Sequence, residues 1–227
     1  DLVAASDIKT GDGVVHVPAG EIAAHIVTAA DGTATAEDLY LGSYRIVETL
    51  APEGYVLNGE PVDVTLVEYD RTDGRYRKGR PYAESEFGDV PQKGIIEAHK
   101  VDAESGLPVA VPGIEFRVTA AADVVTPDGT VRAHEGDVVA EVVTGDDGKA
   151  ETPELYLGRY EVEETLAPDG YVLNGEPVDV TLSYAGQEVA VTRAGAVVED
   201  APQNGRHRNR QNRRGRRARR ARRGSTR

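Results

Sequence analysis

Apolar and polar residues alternate along most of this chain in short, valine-rich runs. IIEAHKV (95–101) and RYEVEET (159–165) are two examples, and a period of two is typical of a β-strand with one buried face. Asp-Gly pairs, which favour tight hairpin turns, separate the runs and begin at positions 12, 31, 73, 128 and 147. No long stretch has the period of a helix. The pattern therefore predicts an all-β fold, built as an Ig-like sandwich of two sheets.

One long segment of the sequence occurs twice. Residues 37–66 and 153–182 are identical at 23 of 30 positions, with a constant offset of 116. A repeat on this scale indicates two copies of one domain rather than the short units of a solenoid. The length of 227 residues is enough for two domains of ordinary size.

The repeat divides the chain into three predicted parts. They are a first β-sandwich (1–93), a second β-sandwich (94–204) and an arginine-rich tail (205–227). Copy two is expected to be a complete domain. Copy one has no counterpart of residues 95–113, so it is expected to lack its N-terminal strand.

Composition narrows the chemistry that the chain can support. It has no cysteine, which excludes disulfides and thiolate metal sites. Its five histidines show no metal-ligand spacing, so neither a metal nor another cofactor is expected. Of 26 basic residues, 12 are arginines of residues 206–227. The remaining body has 14 basic and 39 acidic residues, a formal charge of −25, which argues against nucleic acid as its partner.

The tail has no apolar period and is expected to be disordered. Three interpretations of it remain open: the product of a shifted reading frame, a genuine solvated tail, and a segment that binds nucleic acid. The abrupt change of composition after residue 204 favours the first.

The chain begins at Asp1 without a methionine, so it is expected to be a fragment, with any export signal and anchor outside it. No apolar run in it is long enough to cross a bilayer.

Three ionisable residues of copy two fall on the inward faces of predicted strands. Lys100 lies on the same face as the apolar residues of the predicted first strand. Glu164 lies on the apolar face of a middle strand, and Asp200 lies on the apolar face of the last strand. The same phase places Glu48 and Asp89 inward in a middle and a last strand of copy one. Burial of such groups is costly unless they are paired.

Two interpretations account for these inward charges. The simpler one is a buried ion pair, or side chains that reach water at the strand ends. The other is chemical: burial disfavours the charged forms of amines and carboxyls, so a neutral amine becomes a nucleophile. An amine held against a carboxyl in a dry site can condense to an amide with loss of water, and proximity supplies much of the rate.

The repeated pattern L-Y-L-G-x-Y-x-x-x-E-T-x-A-P-x-G-Y resembles the E-box of Cna protein B-type domains. These are prealbumin-like modules of Gram-positive surface adhesins and pilins and include the SpaA-like group. HKVDAESGLPV (99–109) resembles the opening lysine strand of that family, and DVPQKG and DAPQNG resemble its closing strand. Together these motifs cover nearly all of residues 1–205. The resemblance implies tandem Greek-key sandwiches of the prealbumin type.

The resemblance also implies an isopeptide bond that the domain forms by itself. Carried over to this sequence, it implies that Lys100 joins Asp200, that Glu164 shuttles the protons, and that water rather than ammonia leaves. Glu48 and Asp89 hold the corresponding catalytic and bond-forming positions of copy one. No bond is expected there, because that copy lacks its lysine strand.

The expected function is mechanical. The chain is expected to be a stalk or pilin-like repeat module of a cell-wall-anchored surface adhesin, located outside the cell, with neighbouring repeat domains of the same protein as partners. Because the bond forms once in each molecule, the protein is not expected to be an enzyme. No nucleic acid and no membrane contact is expected within the fragment.

Two alternative functions remain open. One is an adhesin domain that contacts a host matrix protein, for instance through the basic segment 70–81. The other is an accessory module of an extracellular enzyme.

Overall fold

The computed structural model of the chain describes residues 1–68, 76–77 and 80–204. The regular elements of these residues are all β-strands, and none of these residues belongs to a helix long and apolar enough to span a membrane. The predicted tail (205–227) lies outside the described residues, as do positions 69–75 and 78–79 of the basic segment.

The described chain forms two compact units. The first comprises Asp1–Pro91 together with Gly186–Glu188, and the second comprises Gln92–Ala185 together with the chain from Val189 onward. The strands of the first unit are β1 (Leu2–Ala4), β2 (Ile8–Lys9), β3 (Val15–Val17), β4 (Ile22–Ala24), β5 (Gly42–Ile46), β6 (Tyr55–Val56), β7 (Val62–Leu66), β8 (Tyr76–Arg77), β9 (Arg80–Pro81) and β10 (Val90–Pro91).

The first unit is organised around one antiparallel sheet of four strands in the order β4-β1-β5-β7. Three two-stranded ribbons accompany it: β2 with β3, β6 with β10, and β8 with β9. Leu2, Ala4, Ile8 and Tyr44 form its buried cluster. Residues 82–89 form no strand, so the strand expected around Asp89 is reduced to the two residues of β10. In the described part of this unit no long strand lies beside that segment and offers it a hydrogen-bonding edge.

The second unit supplies the longer strands. They are β11 (Lys93–Asp102), β12 (Glu115–Ala120), β13 (Val124–Val125), β14 (Val131–Ala133), β15 (Val138–Val143), β16 (Lys149–Glu151), β17 (Leu155–Tyr156), β18 (Gly158–Leu166), β19 (Val178–Leu182) and β20 (Val191–Asp200).

Eight of these strands form a sandwich of two four-stranded sheets, and β13 and β14 pair as a separate two-stranded ribbon. One sheet has the order β15-β12-β18-β19, and in the other β11 pairs with β16, β17 and β20. The pairing of β11 with β20 is parallel and runs from Lys93 opposite Val191 to Asp102 opposite Asp200. A parallel pair joins strands that are distant in sequence, here the first and last strands of the unit. The prediction of an all-β sandwich is confirmed.

A tyrosine hydrogen bond fixes the phase of the E-box strand in each unit. The hydroxyl of Tyr160 donates to the carbonyl of Tyr156 at 2.6 Å, and that of Tyr44 donates to the carbonyl of Tyr40 at 2.6 Å. Buried phenols require such a partner, and burial raises the pKa of Tyr160 to about 12, so it remains a neutral donor. Since Tyr160 points inward, Glu164 four residues later on the same strand also points inward.

Candidate functional site

Strand β11 places Lys100 in the interior of the second unit. Its residues alternate between buried and partly exposed positions, and Ile96, Ala98 and Lys100 are each at most 1% exposed. The other face of the strand carries Glu97, which pairs with Lys149 across the ladder at 2.8 Å. A lysine is almost never fully buried without a partner, so the groups that surround Lys100 decide its chemistry.

Asp200 approaches the lysine from the neighbouring strand and Glu164 approaches it from the facing sheet. In the parallel ladder Lys100 lies opposite Val198, and Asp200 follows two residues later on the same face. Glu164 belongs to β18, in the sheet of β12 and β15. The three groups therefore meet only because the two sheets pack face to face.

The three side chains are in contact and wholly excluded from solvent. Lys100 Nζ lies 2.5 Å from Asp200 Oδ1 and 2.7 Å from Glu164 Oε1, and the exposed fraction of each side chain is 0%. One amine thus touches two carboxyl groups in the dry core. The structure brings together the three site residues that the sequence indicates in copy two.

Regular hydrogen bonds satisfy few of these atoms. Lys100 Nζ, both oxygens of Glu164 and Oδ2 of Asp200 are buried and have no hydrogen bond of ordinary geometry, despite the short ion-pair distances. Only Oδ1 of Asp200 has one, from the backbone N–H of Asn174 at 3.1 Å. Burial of ions without full compensation costs several kcal/mol each, so this cluster is unfavourable while all three groups carry charge.

The environment of Glu164 suits a group that exchanges protons. Burial raises the pKa of its carboxyl, the adjacent Lys100 lowers it, and the adjacent Asp200 raises it again, with a net shift upward. A carboxyl whose pKa is moved toward neutral pH can both accept and return a proton in one reaction.

The geometry can support amide formation. The neutral amine of Lys100 can attack Cγ of Asp200, while Glu164 can take the proton that the nitrogen loses and deliver it to the departing oxygen. The reacting groups are already in contact, and such pre-positioning can contribute about 7–11 kcal/mol to lowering a barrier.

The corresponding carboxyl groups of the first unit are less buried. Glu48 and Asp89 are both partly exposed, and Glu48 Oε2 accepts the N–H of Asn58 at 2.7 Å. Burial raises the pKa of Glu48, the Asn58 hydrogen bond lowers it, and Asp89 raises it further, with a net shift upward. Among the described residues, no ion pair joins either carboxyl group to a lysine or an arginine.

Sequence reasoning did not identify two further residues at the second-unit site. One is Asn174, whose backbone N–H contacts Asp200. The other is Tyr171, whose hydroxyl donates to Asp102 Oδ2 at 2.9 Å on the strand that carries Lys100. Both residues belong to the stretch YVLNGEP, whose identity in the two copies is the sequence feature that points to them.

The remaining candidates form no site in the described residues. No group of three or more His, Asp or Glu residues in that part of the chain could hold a metal ion. Asp147 belongs to a turn, where its Oδ1 accepts the N–H of Lys149 at 3.1 Å. A ligand role for the basic segment 70–81 falls largely on positions that the structure does not describe.

Comparison with known proteins identifies the type of domain. A family model described as SpaA, prealbumin-like fold domain, matches residues 7–76 and 94–195, which is more than half of the chain. The prealbumin-like fold that the sequence predicts is therefore confirmed. No curated protein sequence matches the chain.

Several solved structures are similar to this chain. The TIE protein of Bacillus anthracis is 24% identical, with 78% of this chain and 28% of that protein covered and a TM-score of 0.50. The major pilin SpaD of Corynebacterium diphtheriae is 28% identical, with 49% of this chain and 30% of that protein covered and a TM-score of 0.37. The chain thus spans less than a third of the length of either protein, and the similarity to the first shows a shared fold.

Proposed function

Because the chain belongs to the family of SpaA prealbumin-like fold domains, we propose that it is a stalk or pilin-like module of a Gram-positive surface protein, strengthened by an isopeptide bond between Lys100 and Asp200. The module acts outside the cell, in a protein anchored to the cell wall. Its partners are neighbouring repeat domains. The bond-forming chemistry occurs once in each molecule, so the protein is not an enzyme with turnover.

The observation that carries this proposal is the contact of one buried amine with two buried carboxyl groups. Lys100 Nζ is 2.5 Å from Asp200 and 2.7 Å from Glu164, without solvent access. A stable ion pair in such a place is normally surrounded by further hydrogen bonds, and these groups have few. Condensation removes the unfavourable charges, because an amine and a carboxyl become a neutral amide.

The position of the bond fits a mechanical role. A pull on the two ends of the second unit loads its first and last strands, β11 and β20, which run side by side in parallel. A covalent bond between Lys100 and Asp200 would link these strands directly. Force would then pass along covalent bonds and bypass the hydrogen bonds of the ladder.

Intact mass measurement of the full chain tests the proposal. The folded protein is expected to weigh one water less than its sequence, and proteolytic peptides that contain Lys100 and Asp200 should be found joined. Lys100→Ala, Asp200→Ala and Glu164→Gln are each expected to restore the sequence mass. Lys149→Ala, which alters an exposed ion pair of the same sheet, should leave the loss of water unchanged. A wild-type mass equal to the sequence mass would mean that the three groups form only an ion pair.

A further inference from the structure

We propose that the backbone N–H of Asn174 is a catalytic group in this condensation. It binds Oδ1 of Asp200, stabilises the negative charge that develops on that oxygen, and thereby makes Oδ2 the oxygen that leaves as water. The inference rests on the proposed Lys100–Asp200 bond and adds a group that contacts the reacting atoms.

The two oxygens of Asp200 have different environments. Oδ1 accepts the N–H of Asn174 at 3.1 Å, whereas Oδ2 is buried and has no hydrogen-bond partner. The amine of Lys100 also lies against Oδ1, at 2.5 Å. The carbonyl-type oxygen is therefore held by a donor, and the other oxygen is free to receive a proton and depart.

The side chain of Asn174 holds its own backbone in place beside β20. Its Nδ2 donates to the carbonyl of Glu199 at 3.0 Å, and its Oδ1 accepts the N–H of Glu176 at 3.2 Å. On the other side of Asp200, the N–H of Val172 donates to the carbonyl of Ala201 at 3.0 Å. The donor is thus pre-oriented by contacts on both sides of the reacting residue, which is the arrangement that gives electrostatic stabilisation its efficiency.

The corresponding loop of the first unit has the same sequence and the same asparagine side-chain hydrogen bonds. The sequence VLNGE is identical at 56–60 and 172–176. Asn58 Nδ2 donates to the carbonyl of Gly88 at 3.2 Å, and Asn58 Oδ1 accepts the N–H of Glu60 at 3.1 Å. There the backbone N–H of Asn58 donates to Glu48, at 2.7 Å. In both copies this loop directs one amide donor at a carboxyl group of the site.

The reaction balances with these groups alone. One proton of the Lys100 ammonium first moves to Oδ2 of Asp200, which gives a neutral amine and a carboxylic acid. Lys100 Nζ then forms a bond to Cγ of Asp200, and the C–O π electrons move onto Oδ1, where the Asn174 N–H binds the resulting oxyanion. Glu164 takes a proton from the nitrogen and gives one to Oδ2, whose bond to Cγ breaks as the carbonyl re-forms. One amide and one water result. A single oxyanion donor typically contributes about 10²–10³ in rate.

Refolding kinetics test the proposal. The full chain is prepared unfolded, with Lys100 and Asp200 not yet joined, then refolded, and the loss of water is followed by intact mass. Asn174→Pro removes the N–H, and Asn174→Ala retains it while removing the side-chain contacts. Asn58→Pro makes the same backbone change in the other copy. We expect Asn174→Pro to slow the condensation by about 10²-fold or more, Asn174→Ala to slow it far less, and Asn58→Pro to leave its rate at the wild-type value.

A second variant covers the case in which Asn174→Pro does not refold. Replacement of the amide before residue 174 by an ester, through incorporation of the corresponding α-hydroxy acid, removes the N–H without the ring of proline. Circular dichroism verifies folding in each case. Slow condensation by the folded ester variant supports the proposal, and condensation at the wild-type rate overturns it.

A spectroscopic measurement tests the contact itself. In Lys100→Met, which cannot form the bond, the Asn174 amide proton is expected to have the downfield shift of a donor to a carboxyl oxygen, and a further Asp200→Ala change, which removes the acceptor, should move it upfield. An Asn174 resonance that is the same with and without the Asp200 carboxyl group would contradict the proposal. If the wild type never loses water, the proposed function itself fails. If it loses water and the ester variant does so equally fast, only the role of Asn174 fails.

Discussion

At the residue scale, the carboxyl pairs of the two units differ in whether a lysine contacts them. In the second unit Glu164 and Asp200 share Lys100. In the first unit Glu48 and Asp89 interact with each other, and the described residues provide no cation for either. Like charges in a partly buried place disfavour ionisation, so the first unit should be sensitive to pH at this point.

Glu48→Gln should stabilise the first unit at neutral pH. Burial raises the pKa of Glu48 above its ordinary value of 4.5. The hydrogen bond from Asn58 opposes this shift, and the nearby Asp89 reinforces it. A carboxyl group whose pKa is higher in the folded than in the unfolded state stabilises the fold at pH values below the unfolded-state pKa. That contribution is lost as the pH rises through the folded-state pKa. The variant should therefore slow amide hydrogen exchange in peptides from residues 1–68 at pH 7 and leave it unchanged near pH 4.

Glu53→Gln is the matched control, because Glu53 is an exposed residue of the same unit. It should leave the exchange of these peptides unchanged at both pH values. Equal effects of Glu48→Gln at pH 4 and pH 7 would contradict the assignment of the pH dependence to Glu48.

At the element scale, the Asp-Gly turns are not equivalent. Gly129 (φ +80°) and Gly148 (φ +73°) both occupy the left-handed region that favours glycine. A Cβ on Gly129 would meet open space. A Cβ on Gly148 would lie 2.6 Å from the Cα of Ala110 and from the carbonyl oxygen of Val109. The turn between β15 and β16 is thus packed against the backbone, whereas the turn between β13 and β14 is free.

Gly148→Ala should therefore destabilise the second unit more than Gly129→Ala does. Both changes force alanine into a left-handed conformation, at a cost of roughly 1 kcal/mol. Only Gly148→Ala adds a clash with backbone, and overpacking costs about 1–3 kcal/mol more. Urea unfolding of the two variants measures the difference in the free energy of unfolding. Equal losses would show that the turn at Gly148 can move away from residues 109–110.

At the scale of the whole molecule, the first and last strands of the second unit pair in parallel, and the proposed bond would join them covalently. The bond from Lys100 to Asp200 would close a loop of about 100 residues, which by analogy with disulfides corresponds to about 4–5 kcal/mol. Removal of Lys100 would confound this quantity, because it leaves two buried carboxyl groups without a cation, at a further cost of several kcal/mol.

Glu164→Gln isolates the contribution of the bond. It removes the proposed proton shuttle and retains both Lys100 and Asp200, which can still form an ion pair. We expect the thermal transition of the second unit to fall by about 15–30 °C, the shift that 4–5 kcal/mol produces in a domain of this size. Calorimetry measures it. Glu161→Gln, at the outward position of the same strand, should change the transition little, and equal transitions for Glu164→Gln and the wild type would contradict the prediction.

The amino-acid sequence by itself determined the phase of the strands. A period of two is a local property, so the alternation around Lys100, Glu164 and Asp200 predicts which side chains point inward without reference to the sheet that each strand joins. The repeat, identical at 23 of 30 positions, indicates two copies of one domain. The Asp-Gly pairs predict turns because glycine adopts the left-handed conformation more easily than other residues.

Tertiary structure alone decided which of these inward groups meet. The parallel pairing of β11 with β20 joins residues about a hundred positions apart, and the facing sheet brings Glu164 to the same point. Residues 82–89 form no strand, although the local pattern predicts one around Asp89, because a strand also requires a partner for its backbone hydrogen bonds. The N–H that contacts Asp200 belongs to the backbone of Asn174. Every residue except proline carries that group, so its position depends on how the chain folds and not on the residue type.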